Sequence, residues 1–471
     1  MKPRKDRIAI GCSSGFWGDS GYAAAQLVHS GQIDYLVSDY LAEITMSLLA
    51  RARAKNPQAG YPPDFVASLA PLLPEIRARG IRVVSNAGGV NPRACRAALE
   101  AAADSAGIAL RVAVVEGDDL MPRVDDIQAT APREMFTGAP LPQRLLSCNA
   151  YIGARGIARA LDAGADVVLT GRCVDSAVTL GILMHEFGWG DDDYDLLAAG
   201  SLAGHVIECG PQCTGGIFTD WASVPGWDDM GYPIVECAAD GSFVVTKPEG
   251  TGGLVSTATV AEQIVYEIGD PANYILSDVV CDFTAVTLEQ IADNRVRVTN
   301  TRGRAPTASY KVSATWSDGW RVIATLMVAG HQAAAKARRM GQAIIDRTRR
   351  LNEAEGRGDY RETSIEVIGA EDTYGAGGRF ADSAREVVLK IGLRHDDRDA
   401  LKLFAREMTQ AGVAMAQGTT GLFGGRPAPS PVVRLFSFLI DKREVPVTVE
   451  VGGETLPVPP PIIQSSAKPA S

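Results

Sequence analysis

The chain has 471 residues, 46% hydrophobic and 22% charged, enough apolar material for one large core or several ordinary ones. A net charge of -10 excludes a broad nucleic-acid footprint, which needs clustered Lys and Arg; the richest cluster, Arg338, Arg339, Arg347, Arg349 and Arg350, fits one helix face. The eight cysteines lack zinc-ribbon spacing and read as reduced thiols, the basic start runs into only Ile8-Ala-Ile10 before Gly11, and no stretch offers the roughly 18 to 20 apolar residues of a membrane span. A cytoplasmic protein with no membrane and no nucleic-acid partner is expected.

Along the first 200 residues one theme repeats: a short β-branched run ends in small or polar residues, and an alanine-rich helical segment follows. Strands are expected at Arg7 to Gly11, Tyr35 to Ser38, Arg82 to Ser85, Arg111 to Val115 and Asp166 to Thr170. Helical spacing covers Tyr22 to His29, Tyr40 to Ala54, Asp64 to Arg79, Pro92 to Ala106 and Tyr151 to Leu161. Continuous apolar runs such as Val167-Val168-Leu169 suit strands covered on both faces, so this part predicts an α/β architecture with a mostly parallel sheet flanked by helices.

After Ser201 the pattern changes to short alternating runs, Ser242 to Thr246, Tyr274 to Cys281 and Arg295 to Thr299, which predict a mixed α+β region through residue 355. A strand at Trp320 to Thr325 and a helix at His331 to Asn352 lead to the linker Glu353 to Asp359. Residues 5–355 are therefore read as one α/β domain, 5–200 parallel and 201–355 mixed. Strands at Ser364 to Ile368, Glu386 to Leu393, Val432 to Leu439 and Val445 to Val451, around a helix at Arg398 to Ala411, predict a small α+β domain over 360–455. Leu456 to Ser471, rich in Pro, Ser and Ala, reads as a disordered tail.

Ligands of open parallel sheets bind outside the carboxyl ends of the strands, so the residues there are candidates by position. They are Gly11, Ser13, Ser14 and Gly15 after the first strand, Asp39 and Glu43 after the second, Asn86, Gly88 and Gly89 after the third, Glu116, Asp118 and Asp119 after the fourth, and Arg172, Cys173, Asp175 and Ser176 after the fifth. The first loop fits neither the dinucleotide fingerprint nor a P-loop; its amides suit an anion, and equally a capped turn. Asn86-Ala-Gly-Gly89 presents amides suited to an oxyanion such as an enolate, or turns the chain before Pro92. Asp39 and Glu116 stand where proton transfer would want them, although Asp118 and Asp119 read better as helix caps. Arg172 and Asp175, three residues apart, suit an anion clamp or an ion pair.

Between Gly204 and Gly216 the sequence gathers His205, Glu208, Cys209 and Cys213. The spacing matches no ordinary zinc site, so no metal is expected; a nucleophilic Cys209 with His205 would require a helix that Gly210-Pro211 makes unfavourable. Lys247 to Gly253, ahead of a helix from about Ser256, adds Gly252 and Gly253 as anion-cradling candidates.

Gly11-Cys-Ser-Ser-Gly-Phe16 with Gly18-Asp19, Ser38 to Glu43, Ser85 to Gly89, Asn149 to Gly153, Asp166 to Asp175, His205 to Gly210 and Gly252 to Val255 together resemble the acyclic terpene utilisation family, AtuA. The resemblance runs over residues 5 to 350, and the segment after 360 resembles the ferredoxin-like domain that accompanies the family. It implies a place in the breakdown of branched or terpenoid acids as coenzyme A thioesters, beside carboxylases, dehydrogenases and hydratases, and transfers no catalytic residues. The leading expectation is an acyl-CoA lyase or hydratase working through a thioester enolate. Asp39, Asn86, Glu116, Arg172 and Asp175 would carry the chemistry; Gly11, Ser13, Ser14, Gly15, Gly88, Gly89, Glu208, Cys209, Gly252 and Gly253 would bind the ligand. Coenzyme A enters as part of the substrate, no cofactor is bound permanently, and a homo-oligomer that associates with other acyl-CoA enzymes is expected. The alternative is a non-catalytic assembly partner of such an enzyme. A nucleotide-dependent reading, with Asp34 or Asp39 as the ribose partner, is weaker.

Overall fold

The computed structural model describes residues 6–379, 383–422 and 424–460. The chain divides into two compact units, 1–315 with 435–471, and 316–434. The break near residue 355 expected from the linker falls just after the helix Ala333–Ala354, inside the second unit.

At the centre of the first unit, strands Arg7–Cys12, Tyr35–Ser38, Arg82–Ser85, Val167–Thr170 and Val112–Glu116 lie side by side in that spatial order, and all four pairings are parallel. Their valine-rich runs are buried because helices cover the sheet; Leu27, Leu49, Phe65, Leu73, Cys95 and Leu99 form much of the core on one of its faces.

The sheet as a whole is not mostly parallel, and this corrects the expectation. It has eleven strands: antiparallel Ile234–Ala238, Phe243–Thr246, Arg295–Thr299 and Thr287–Ala292 extend one edge, and Val447–Val451 with Glu454–Val458 the other. The added strands come from the middle region and the carboxyl end, and three of their pairs are hairpins closed by turns of two to four residues, which permit only antiparallel neighbours. Val447–Val451, expected in the C-terminal domain, pairs with Val112–Glu116 instead. Leu456–Val458, expected in a disordered tail, is in a strand, while 461–471 lie outside the described residues.

Ser147–Ala150, unforeseen as a strand, pairs with Val312–Thr315 at the start of the long strand Ser309–Ala329. The helix expected from Tyr151 begins at Arg155, and two apolar helices, Ala177–Phe187 and Tyr194–Glu208, occupy a stretch where no helix was expected; nearly every side chain there is buried, which leaves no amphipathic period.

In the second unit, Glu362–Ile368, Glu386–His395 and the later part of Ser309–Ala329 form consecutive antiparallel neighbours, with Thr419–Leu422 beyond. Ala337, Met340, Ile344, Leu389, Ile391, Leu401 and Phe404 make its core, supplied by the helices Ala333–Ala354 and Arg398–Glu407 against the alternating inward face of the strands.

Candidate functional site

The loops after the parallel strands converge in the first unit, and the polar residues there are largely hydrogen-bonded to one another. Asp39 is buried; Asn86 Nδ2 donates to its Oδ1 at 2.6 Å, and Leu41 N donates to the same oxygen at 3.2 Å. Burial first, then the charge of Asp175, pushes the Asp39 carboxyl well above the usual range, against the pull of Arg172 and of the Asn86 hydrogen bond.

Arg172, equally buried, donates from Nη1 to Asp175 Oδ1 at 2.5 Å and to the Cys173 carbonyl at 2.9 Å, with its guanidinium 4.2 Å from the ring centroid of Tyr151. Burial opposes the charge, but Asp175 and its neighbours hold the guanidinium firmly protonated. The Tyr151 hydroxyl donates to Glu43, and Lys311 stands 3.7 Å from that carboxylate and 4.8 Å from the Tyr151 ring.

Beside this network lies a cavity of about 400 Å³. Asp175, Ser176 and Glu208 reach it; Tyr151, Tyr274, Ile275, Leu276 and Leu439 give it an apolar wall, and Lys311 supplies a cation. Glu208 is the last residue of the helix Tyr194–Glu208, so its i–3 neighbour His205 lies on the same face, and His205 Nδ1 is 2.8 Å from Glu208 Oε1. Burial raises the Glu208 carboxyl to about 7 although the imidazole lowers it. His205 is pulled down by burial but raised on balance by Glu208, and its Nε2 is buried without a hydrogen-bond partner. A carboxyl that changes charge near neutrality at the edge of an apolar cavity is equipped for general acid-base work.

The structure brings Asp39, Asn86, Arg172, Asp175 and Glu208 into one neighbourhood, and separates Glu116 from it. Glu116 accepts two hydrogen bonds from Arg93, at 3.0 and 2.8 Å, beside a different hollow lined by Arg53, Asn91 and Asp119. Ser13 and Ser14 spend their hydroxyls within the loops, Ser13 on Ser38 Oγ at 2.7 Å and Ser14 on the Asp39 carbonyl at 2.6 Å. Cys209 follows the helix end as a cap; burial and then the Glu208 charge raise its thiol, which disfavours a thiolate. Asp34, weighed as a ribose partner, accepts from the Ala9 amide at 3.0 Å.

Close packing explains the candidate glycines. A Cβ on Gly88 would stand 2.4 Å from the Thr170 carbonyl, on Gly89 2.5 Å from that of Gly60, and on Gly252 1.9 Å from that of Gly226. On Gly253 it would meet the Thr214 carbonyl at 2.6 Å, on Gly15 the Cys209 backbone at 2.9 Å, and on Gly11 a Leu27 methyl at 2.9 Å. These residues let chain segments approach one another, which is a sufficient reason for glycine without a ligand.

Tyr151, Tyr274 and Lys311 went unrecognised as site residues on the sequence. Tyr151 carries a weak signal, since it lies within Asn149 to Gly153, one of the segments that carry the family resemblance; Lys311 and Tyr274 arrive from sequence-distant strands with no local motif. Among the described residues, no group of three or more His, Cys, Asp or Glu is arranged to hold a metal ion, and no helix is long and apolar enough to cross a membrane.

Neither a curated protein nor a solved structure matches the chain. A family model described as acyclic terpene utilisation family protein AtuA matches residues 8–451, nearly the whole length. The chain belongs to the acyclic terpene utilisation family.

Proposed function

We propose that this protein is an enzyme of terpenoid acid breakdown that moves a proton on a branched acyl group held in the 400 Å³ cavity, the acyl group being delivered as a coenzyme A thioester. One observation carries the reading: Glu208, with a carboxyl raised to about 7 and hydrogen-bonded to buried His205, opens onto a cavity whose other walls are mostly apolar. In its charged form Glu208 takes the proton from the carbon next to the thioester carbonyl and becomes the neutral acid, the electron pair moves onto the carbonyl oxygen as an enolate, and His205 stabilises the carboxylate before the transfer and orients the acid after it. Asp175, fixed by Arg172, is the second cavity carboxyl and serves proton return or a step at the neighbouring carbon in lyase or hydratase fashion. Lys311 faces the anionic part of the substrate, and the tyrosines with Ile275, Leu276 and Leu439 accept the hydrocarbon.

Asp39 and Asn86 act behind this pair by setting its charge balance. No permanently bound cofactor is required, and the reading places the enzyme in the cytoplasm as a homo-oligomer working beside other acyl-CoA enzymes. The antiparallel strands and two helices of the second unit support a ferredoxin-like module.

The test is deuterium uptake next to the carbonyl of dimethyloctanoyl-CoA, followed by mass spectrometry in heavy water. Wild-type protein should catalyse exchange, and Glu208→Gln should lose about a hundredfold or more. Absence of both exchange and binding in the wild type would remove the proposal.

A second reading, an assembly role, is favoured by an exposed aromatic pair: Trp221 and Trp227 are 62% and 60% exposed with ring centroids 5.8 Å apart, and Ile217 nearby in sequence is 79% exposed. If that role is the main one, Trp221→Ser with Trp227→Ser abolishes association with a partner enzyme, while the wild type shows no exchange of its own.

A further inference from the structure

Lys442 lies in the segment Asp441-Lys-Arg-Glu444, a run of charged residues of the kind mostly left exposed to water. Arg443 behaves that way, with a side chain 81% exposed and paired to Asp441, whereas Lys442 is only 1% exposed. A lysine is almost never buried this far unless something holds its ammonium. Here two backbone carbonyls do: Nζ donates to Ser277 O at 2.7 Å and to Thr307 O at 2.6 Å, and stands 5.3 Å from the Tyr310 ring centroid. The Lys442 amide adds a bond to the Ala308 carbonyl at 3.0 Å.

Ser277 and Thr307 line the cavity from two different segments, 274–277 and 307–311. The first also carries Tyr274 and fixes Tyr151, because Ser277 Oγ donates to the Tyr151 carbonyl at 2.5 Å; the second carries Lys311. Next to Ser277, Asp278 accepts from the Ala154 amide at 2.8 Å, which ties the same loop to the start of a helix and places a carboxylate near the buried ammonium.

We infer that Lys442 is a positioning residue that clamps the two walls of the cavity together, so that the carboxyl-terminal segment of the chain sets the width of the acyl site. That it shapes ligand binding rests on the functional reading above; the clamp itself does not. An apolar side chain of the same length would leave two buried carbonyls unpaired and the two segments free to separate. Burial lowers the ammonium to about 8, yet the neutral amine still has two N–H groups for two carbonyls, so the clamp survives titration.

Hydrogen exchange of the full chain separates donor from filler. Lys442→Met fills the space without a donor, and Lys442→Gln offers two N–H groups on a similar frame. The clamp predicts at least tenfold faster amide exchange across 274–278 and 307–311 in the Met variant, little change in the Gln variant, and no change in the remote helix Pro92–Ser105. Dimethyloctanoyl-CoA should bind the Met variant at least tenfold more weakly and the Gln variant nearly as well as wild type. Equal local exchange in folded Met and Gln variants would overturn the clamp, as would unchanged exchange in the Met variant. If the Met variant does not fold, the Gln variant decides: retained protection supports the clamp and tenfold loss refutes it. Failure of the wild type to bind the thioester, with exchange behaving as predicted, removes the functional reading and leaves the clamp.

Discussion

Asn86 holds Asp39 in place with both ends of its carboxamide: Nδ2 donates to Asp39 Oδ1 at 2.6 Å, and Oδ1 accepts from the amide of the next residue, Tyr40, at 2.8 Å. The loops after the second and third parallel strands are joined through this one side chain. Asn86→Ala should therefore destabilise the protein by about 1–3 kcal/mol, because it removes the shorter of two hydrogen bonds to a buried carboxyl and the partner of a buried amide. Asn86→Asp should be worse, since it sets a second buried carboxyl against Asp39, whose own carboxyl burial already raises. Urea unfolding measures both, and a loss within about 0.5 kcal/mol for Asn86→Ala would mean that the bond contributes nothing net.

Asp118 supplies a pH prediction. Its Oδ2 accepts from Asn149 Nδ2 at 2.9 Å and from the Arg172 amide at 2.8 Å, and burial raises its carboxyl from 3.8 to about 7 against the pull of that amide. A carboxyl raised on folding contributes stability that is complete below its unfolded value and fades as pH climbs to its folded one. Asp118→Asn keeps the accepting oxygen and has nothing to ionise. Its stability relative to wild type should therefore rise between pH 4 and pH 7, with a slope of up to about 1.4 kcal/mol per pH unit. A pH-independent difference across that window in urea titrations would contradict a buried, neutral Asp118.

Arg172 and Lys311 flank the same tyrosine ring but should fail differently. Arg172→Met removes a buried guanidinium that holds Asp175 and the Cys173 carbonyl, and should destabilise by about 1–3 kcal/mol. Lys311→Met alters a side chain 42% exposed, so stability should stay within about 0.5 kcal/mol, while the affinity for dimethyloctanoyl-CoA falls about tenfold. Calorimetric binding alongside urea unfolding distinguishes them. Weakened binding with unchanged stability in Arg172→Met would show instead that Arg172 touches the ligand.

Two glycines separate packing from anion binding. Gly252→Ala would force a methyl to 1.9 Å from the Gly226 carbonyl and should destabilise by more than about 2 kcal/mol or prevent folding. Gly21→Ala meets nothing within 4 Å and should be neutral or slightly stabilising. If Gly252→Ala folded normally and lost only ligand affinity, its loop would be an anion cradle after all.

The sequence by itself determined the parallel centre of the fold. Tyr35–Ser38 and Arg82–Ser85 in that centre, and the antiparallel strand Arg295–Thr299 outside it, are readable to the residue, because a β-branched run bounded by turn or helix residues has one local solution. The Arg172–Asp175 contact was legible as one of two readings, an ion pair or an anion clamp, since three residues of separation just ahead of a helix let the two groups meet. The strand Ser147–Ala150 was not: Ser-Cys-Asn-Ala has no strand preference of its own and is extended because Val312–Thr315 pairs with it. Nor could the sequence say that Glu116 would be taken by Arg93, that Lys442 would turn inward while Arg443 turned out, or that Tyr151, Tyr274 and Lys311 would close a cavity over Glu208. Periodicity and turn chemistry are local and survive in one dimension. The partner and the burial of a charge depend on which distant segments fold against it, and these set whether a carboxylate is a cap, half of an ion pair or a proton carrier.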